Sequence, residues 1–107
     1  MKKLLLLALI FVATPVMAAT INGTPGGDSL IGTNSADTIN GNGGGDYVNA
    51  KGGNDTITVS DGSYVKAGAG DDTITHTGWG AKIDCGAGND TVTAGGGTKL
   101  VNCENIL

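Results

Sequence analysis

From residue 20 onward, single aliphatic positions alternate with polar, glycine-rich stretches in a fixed rhythm. Ile21, Leu30, Ile39, Val48, Ile57, Val65, Ile74, Ile83, Val92 and Val101 follow one another at a step of nine, with one step of eight. Most have a polar residue on each side, as in Thr56-Ile57-Thr58 and Thr91-Val92-Thr93. Polar–apolar–polar over three residues predicts a short strand with its middle side chain inward and its neighbours outward. The intervening residues are rich in glycine, which accepts positive φ at little cost, and so predict tight turns. One strand and one turn make half a coil. Two make a coil of eighteen residues whose strands stack at roughly 4.8 Å. A fixed period of this kind means one small unit repeated along an axis.

Written in units, the chain reads GTPGGDSLI (23–31), GTNSADTIN (32–40), GNGGGDYVN (41–49), AKGGNDTIT (50–58), VSDGSYVK (59–66), AGAGDDTIT (67–75), HTGWGAKID (76–84), CGAGNDTVT (85–93) and AGGGTKLVN (94–102). Successive units fall on alternate sides of the coil. Face A, built from units 32–40, 50–58, 67–75 and 85–93, keeps an aspartate sixth in every unit: Asp37, Asp55, Asp72 and Asp90. Face B keeps only Asp28 and Asp46, and then reads Ser63, Ala81 and Lys99 in that column. A protonated lysine donates and repels, so this register ends cation binding on face B.

The unit resembles the G-G-x-G-x-D-x-U-x repeat of the repeats-in-toxin (RTX) family, a parallel β-roll that binds Ca²⁺. The resemblance spans residues 20–102. It is close in the first four units and in 67–75 and 85–93, and weak in 59–66, 76–84 and 94–102, which lack the aspartate. It implies an all-β, right-handed parallel β-roll or β-solenoid of about five coils, with ions held between turns one coil apart. Carried onto this chain, the pairs are Asp37 with Asp55, Asp55 with Asp72, and Asp72 with Asp90 on face A, and Asp28 with Asp46 on face B. That makes up to about four Ca²⁺ ions, each completing its six to eight oxygens with turn carbonyls. Asp61 sits at the wrong position of a shortened unit, and Asp71 is expected to point away. Ten aliphatic side chains are a thin core for a glycine-rich chain, so a metal or a crosslink is expected to supplement them.

Cys85 and Cys103 supply the crosslink. They lie eighteen residues apart, one coil, and stacked residues at roughly 4.8 Å fall inside the Cα window of a disulfide. The bridge would tie down the last coil, where residues 104–107 are placed to plug the open end.

The beginning of the chain changes the picture of where this happens. A basic head, an apolar run over residues 4–12 and the small-x-small sequence Val16-Met17-Ala18 predict a secretory signal peptide over residues 1–18, too short for a membrane span. Residues 19–107 then form one exported domain, extracellular or periplasmic, not an integral membrane protein, in surroundings that favour the disulfide. Without Lys2 and Lys3 the net charge of −4 becomes −6, and arginine is absent. This charge makes the chain a poor candidate for nucleic acid or anionic membrane and a fair one for cations. No phosphate loop, nucleophile elbow or zinc spacing occurs, and His76, alone in a divergent turn, is expected in solvent. A non-catalytic protein is the expectation.

The outward columns of the two faces differ. Face A reads Thr20, Thr38, Thr56, Thr73, Thr91 beside Asn22, Asn40, Thr58, Thr75, Thr93, an uncharged ruled surface. Face B reads Ser29, Tyr47, Tyr64, Lys82, Leu100 beside Ile31, Asn49, Lys66, Asp84, Asn102, an ordinary surface. Threonine suits exposed strand positions in any protein. The face A array also resembles the T-x-T ranks of antifreeze β-solenoids, which implies ice as an alternative ligand to an extracellular surface, matrix or partner. Tyr47, Tyr64 and Trp79 mark a second candidate contact patch.

Overall fold

A computed structural model describes residues 17–107. The expected signal peptide lies outside the described residues but for its last two, Met17 and Ala18. Eleven short strands follow: Thr20–Asn22 (β1), Ser29–Ile31 (β2), Thr38–Asn40 (β3), Tyr47–Asn49 (β4), Thr56–Val59 (β5), Tyr64–Lys66 (β6), Thr73–His76 (β7), Lys82–Asp84 (β8), Thr91–Thr93 (β9), Lys99–Val101 (β10) and Asn105–Ile106 (β11). Odd strands form one parallel sheet in the order β1-β3-β5-β7-β9-β11, and even strands form the other in the order β10-β8-β6-β4-β2. Successive strands therefore alternate between two sheets, and the chain winds as a β-solenoid of about five turns, the β-roll expected of the repeat. Among the described residues no helix is long and apolar enough to cross a membrane.

Register follows from the aliphatic positions. In the odd sheet Ile21, Ile39, Ile57, Ile74, Val92 and Ile106 pair in sequence. In the even sheet the row is Leu30, Val48, Val65, Ile83 and Leu100. The interior members, from Ile39 to Val92, are completely buried. Each contributes roughly 1.5–3 kcal/mol by leaving water. A slip of one residue would expose this whole row and bury the threonines, so the register is strongly determined.

The last even strand corrects the sequence reading. Leu100, not Val101, pairs with Ile83 and packs against the core, while Lys99 pairs with Lys82 and Val101 with Asp84. The turn before β10 is one residue short because residues 96 and 97 close over the ring of Trp79, which bridges to Gly96. Lys99 therefore leaves the aspartate column, which Thr98 occupies, and points outward.

Position one of each unit forms a second inward column. Ala50, Ala67, Cys85, Val59 and His76 are all buried there. His76 is the second correction: it is not in solvent. The inward–outward alternation of Ile74 and Thr75 continues one residue further and turns His76 in, opposite Val59. Its Nδ1 lies 3.0 Å from Thr98 Oγ1 and accepts the Gly95 N–H at 3.3 Å.

Cys85 and Cys103 are bridged, with their Cα atoms 5.1 Å apart. Directly after the bridge, β11 adds a sixth strand to the odd sheet in place of a plug, leaving Ile106 58% exposed. Closing a loop of this size stabilises the fold by roughly 3 kcal/mol in the chain-entropy model. Reduction, or Cys103→Ser, should therefore lower the melting temperature by roughly 10–20 °C and speed amide exchange in β9 to β11 ahead of β1 to β5. Uniform exchange along the whole roll would contradict this placement of the staple.

Candidate metal centre

The sixth residue of each unit ends the turn and enters the strand, so its side chain points between stacked turns. Asp37, Asp46, Asp55, Asp72 and Asp90 are all buried there. They are linked in a ladder. The N–H of Ala19 donates to Asp37 Oδ1, that of Asp37 to Asp55 Oδ1, that of Asp55 to Asp72 Oδ1, and that of Asp72 to Asp90 Oδ1, each at 2.8 Å. On the other side the Asp28 N–H donates to Asp46 Oδ1 at 2.8 Å. The pairs are those matched from the sequence. The ladder ends on Ser63 Oγ, which accepts the Asp46 N–H at 3.1 Å, and on Glu104 Oε1, which accepts the Asp90 N–H at 2.9 Å. The sequence pattern does not place Glu104 there, because only Asn102 and Cys103 separate it from β10 and no glycine turn announces it.

Two kinds of turn hold these aspartates. In units 23–31 and 32–40 the second residue is threonine. The Thr33 N–H donates to Asp37 Oδ2 at 2.7 Å, its hydroxyl donates to Asp37 Oδ1 at 2.8 Å, and it accepts the Ser35 N–H at 3.0 Å. Thr24 does the same for Asp28, with its N–H 2.6 Å from Oδ2. Glycine is required before it: a Cβ on Gly32 would stand 2.7 Å from Asp37 Oδ2. In these two turns the carboxylate is saturated by the chain itself.

The later turns are different. Gly70 and Gly88 take φ of 111° and 113°, and a Cβ on either would collide with the carbonyl one coil back, that of Gly53 or Gly70. Lys51 and Asn42 hold the second position at φ 67° and 63°. Oδ1 of Asp46, Asp55, Asp72 and Asp90 accepts the ladder N–H, but Oδ2 of each is buried without a hydrogen-bond partner.

Electrostatics follow the same division. Burial pushes the Asp37 carboxyl up, but the Thr33 and Ala19 N–H groups and the Thr33 hydroxyl outweigh it and hold the group below its ordinary 3.8. Burial raises Asp55 to about 6, with repulsion from Asp37 adding to it against the Asp37 N–H. Burial raises Asp72 to about 8, helped by repulsion from Asp55 and Asp90 and opposed by the Asp55 N–H. Asp90 is raised too, by burial first and then by Glu104.

Bare buried carboxylate oxygens are costly unless a proton or cation satisfies them. The donors at hand are carboxylates and turn carbonyls, the oxygen set of a hard cation such as Ca²⁺. Among the described residues no three His, Cys, Asp or Glu side chains converge on one point, so a cation held here would need turn carbonyls for much of its shell. The aspartates outside the column have other partners. Asp71 is exposed, as expected, but it belongs to an outer ladder: its N–H donates to Asn54 Oδ1 at 2.8 Å and its Oδ1 accepts the Asn89 N–H at 2.9 Å. Asp61 Oδ1 accepts the Trp79 N–H at 2.6 Å and fixes that turn.

On the outside, the threonines lie in register across the odd sheet: Thr20, Thr38, Thr56, Thr73 and Thr91 in one column, and Asn22, Asn40, Thr58, Thr75 and Thr93 in the other. All are exposed or half-exposed.

Comparison with known families places this architecture. A model of the RTX calcium-binding nonapeptide repeat matches the chain in 4 copies, over residues 22–57, 60–76 and 83–98. Comparison with curated proteins and with solved structures gives no match. Matched over more than half its length, and wound with buried aspartates stacked turn over turn, the chain belongs to the RTX calcium-binding nonapeptide repeat family.

Proposed function

We propose that residues 19–107 are a secreted, non-catalytic calcium-binding module that completes its fold on the ion. The observation that carries this is the set of four buried, unpartnered Oδ2 atoms, on Asp46, Asp55, Asp72 and Asp90. Calcium would neutralise these oxygens and crosslink neighbouring turns. The pairs Asp55 with Asp72 and Asp72 with Asp90 have two bare carboxylates each and are the strongest sites. Asp37 with Asp55 and Asp28 with Asp46 each join a bare carboxylate to one already saturated by threonine, and are weaker. Calcium titration of chelator-treated protein, followed by circular dichroism and calorimetry, tests the reading. Binding at about 10⁻⁴–10⁻³ M, typical of extracellular modules, should restore the β-signal. No binding heat together with an unchanged spectrum would end it.

A second reading, in which face A binds ice, has one observation in its favour: the threonine columns run in register without a charge. Thr56→Tyr or Thr73→Tyr should then abolish thermal hysteresis while calcium binding survives, because these side chains point away from the turns. Lys82→Tyr on the opposite face should change nothing. A calcium-loaded wild type without thermal hysteresis disposes of the ice reading and leaves the calcium module intact.

A further inference from the structure

The even sheet is not the ordinary surface that the sequence register suggested. With Lys99 beside Lys82, its outward column reads Ser29, Tyr47, Tyr64, Lys82, Lys99 in a straight line along the solenoid axis. Lys66 stands beside this column on β6. Three of the four lysines in residues 19–107 therefore share one face of an otherwise acidic chain. The tyrosine rings meet edge to face, 5.6 Å between centroids, and Lys82 Nζ lies 5.3 Å from the centre of the Tyr64 ring. The one acid on the face, Asp84, stands in register beside Lys66 and accepts the Gly86 N–H and the Asn102 amide at Oδ1, which leaves the face with a net positive charge.

We propose that this face is a docking strip for a linear acidic polysaccharide. The strip is narrow and straight, and its ranks repeat at roughly 4.8 Å. A linear glycan extended along the axis advances about one rank per sugar. Tyr47 and Tyr64 offer ring faces and edges to the apolar faces of sugars. Lys66, Lys82 and Lys99 offer cations to carboxylates on the same polymer. Charge complementarity favours a single chain over a planar anionic membrane. A plane would meet the net negative charge of the domain as a whole, whereas a single chain lies along the strip alone. The lysines point away from the core, so this contact is separate from the calcium sites and needs only the folded roll.

The test uses calcium-loaded protein, with its β-signal checked, and an oligogalacturonate too short to gel as the probe. Calorimetric titration should show binding that weakens as salt is raised. The methyl-esterified oligomer, with the same sugars and no charge, should bind roughly tenfold or more weakly. Lys82→Glu with Lys99→Glu should cut affinity for the acid by a similar factor, and Tyr64→Ala should cut it several-fold. Thr56→Glu with Thr73→Glu, which adds acids to the opposite face, should leave it close to wild type. Should the glutamate pair fail to fold, Lys82→Gln with Lys99→Gln replaces it with the same expectation. Equal affinity for acid and ester, an unchanged lysine variant, or binding to phosphatidylglycerol vesicles with none to the oligogalacturonate would each overturn the proposal.

Discussion

Stripped of calcium near pH 8, the protein should lose its β-signal, and Asp72 should be the residue on which recovery depends most. The aspartates of the odd sheet stack one coil apart, and Asp55, Asp72 and Asp90 have bare buried oxygens. Ionised together without a cation, they repel one another inside a roll with a thin aliphatic core. Asp72 has an aspartate on both sides, Asp55 and Asp90. Asp72→Ala therefore removes a ligand from two proposed sites and should raise the calcium midpoint roughly tenfold or more. Asp28→Ala, at the half-buried end where Thr24 already saturates the carboxylate, should shift it only a few-fold. Asp72→Asn should act in two directions: it removes a buried charge and stabilises the metal-free form at pH 8, yet weakens calcium binding. If Asp72→Ala and Asp28→Ala shift the midpoint equally, the division between bare and saturated aspartates has no energetic meaning.

The strand rows and the aspartate column were legible because a three-residue strand fixes which side chain points inward, and the nine-residue step repeats that choice. Legibility failed where the step changed. Leu100 and Val101 are adjacent aliphatics, and either suits the row. Only the closure of residues 96 and 97 over Trp79 decides between them. That single residue also hid the face B column, which in the mistaken register ended on Leu100 instead of Lys99. His76 reads as loop, being a lone polar residue in a glycine-bearing unit, while the strand alternation continues one step beyond Thr75 and turns it inward. The two turn types differ in sequence at the second position. Threonine at the second position, as in Thr24 and Thr33, offers a hydroxyl to its own turn, whereas Gly68 and Gly86 there cannot. The surplus of bare oxygens follows from that difference.

Acidity should act on the metal-free and calcium-loaded proteins with opposite sign. Asp55 is raised to about 6 and Asp72 to about 8, from an ordinary 3.8. Between these values the folded chain holds protons that the unfolded chain has released. Their contribution to stability is full below the ordinary value and is lost as pH rises, through about 6 for Asp55 and about 8 for Asp72. Metal-free protein should therefore gain stability as pH falls from about 8 towards 4, where a proton does for each bare oxygen part of what calcium does. Asp37 works the other way: its carboxyl is lowered, so its contribution is present above 3.8 and is lost as pH falls further, which limits the gain at the acid end. With calcium present, protons compete for the same carboxylates, and the calcium midpoint should climb as pH falls through the same window. Melting curves from pH 4 to pH 8, with chelator and with saturating calcium, measure both arms. In chelator the melting temperature should fall as pH rises until the transition is lost near pH 8, and Asp72→Asn should flatten the portion above 6. Curves of the same slope with and without calcium would mean that the buried carboxylates are not where the ion and the proton exchange.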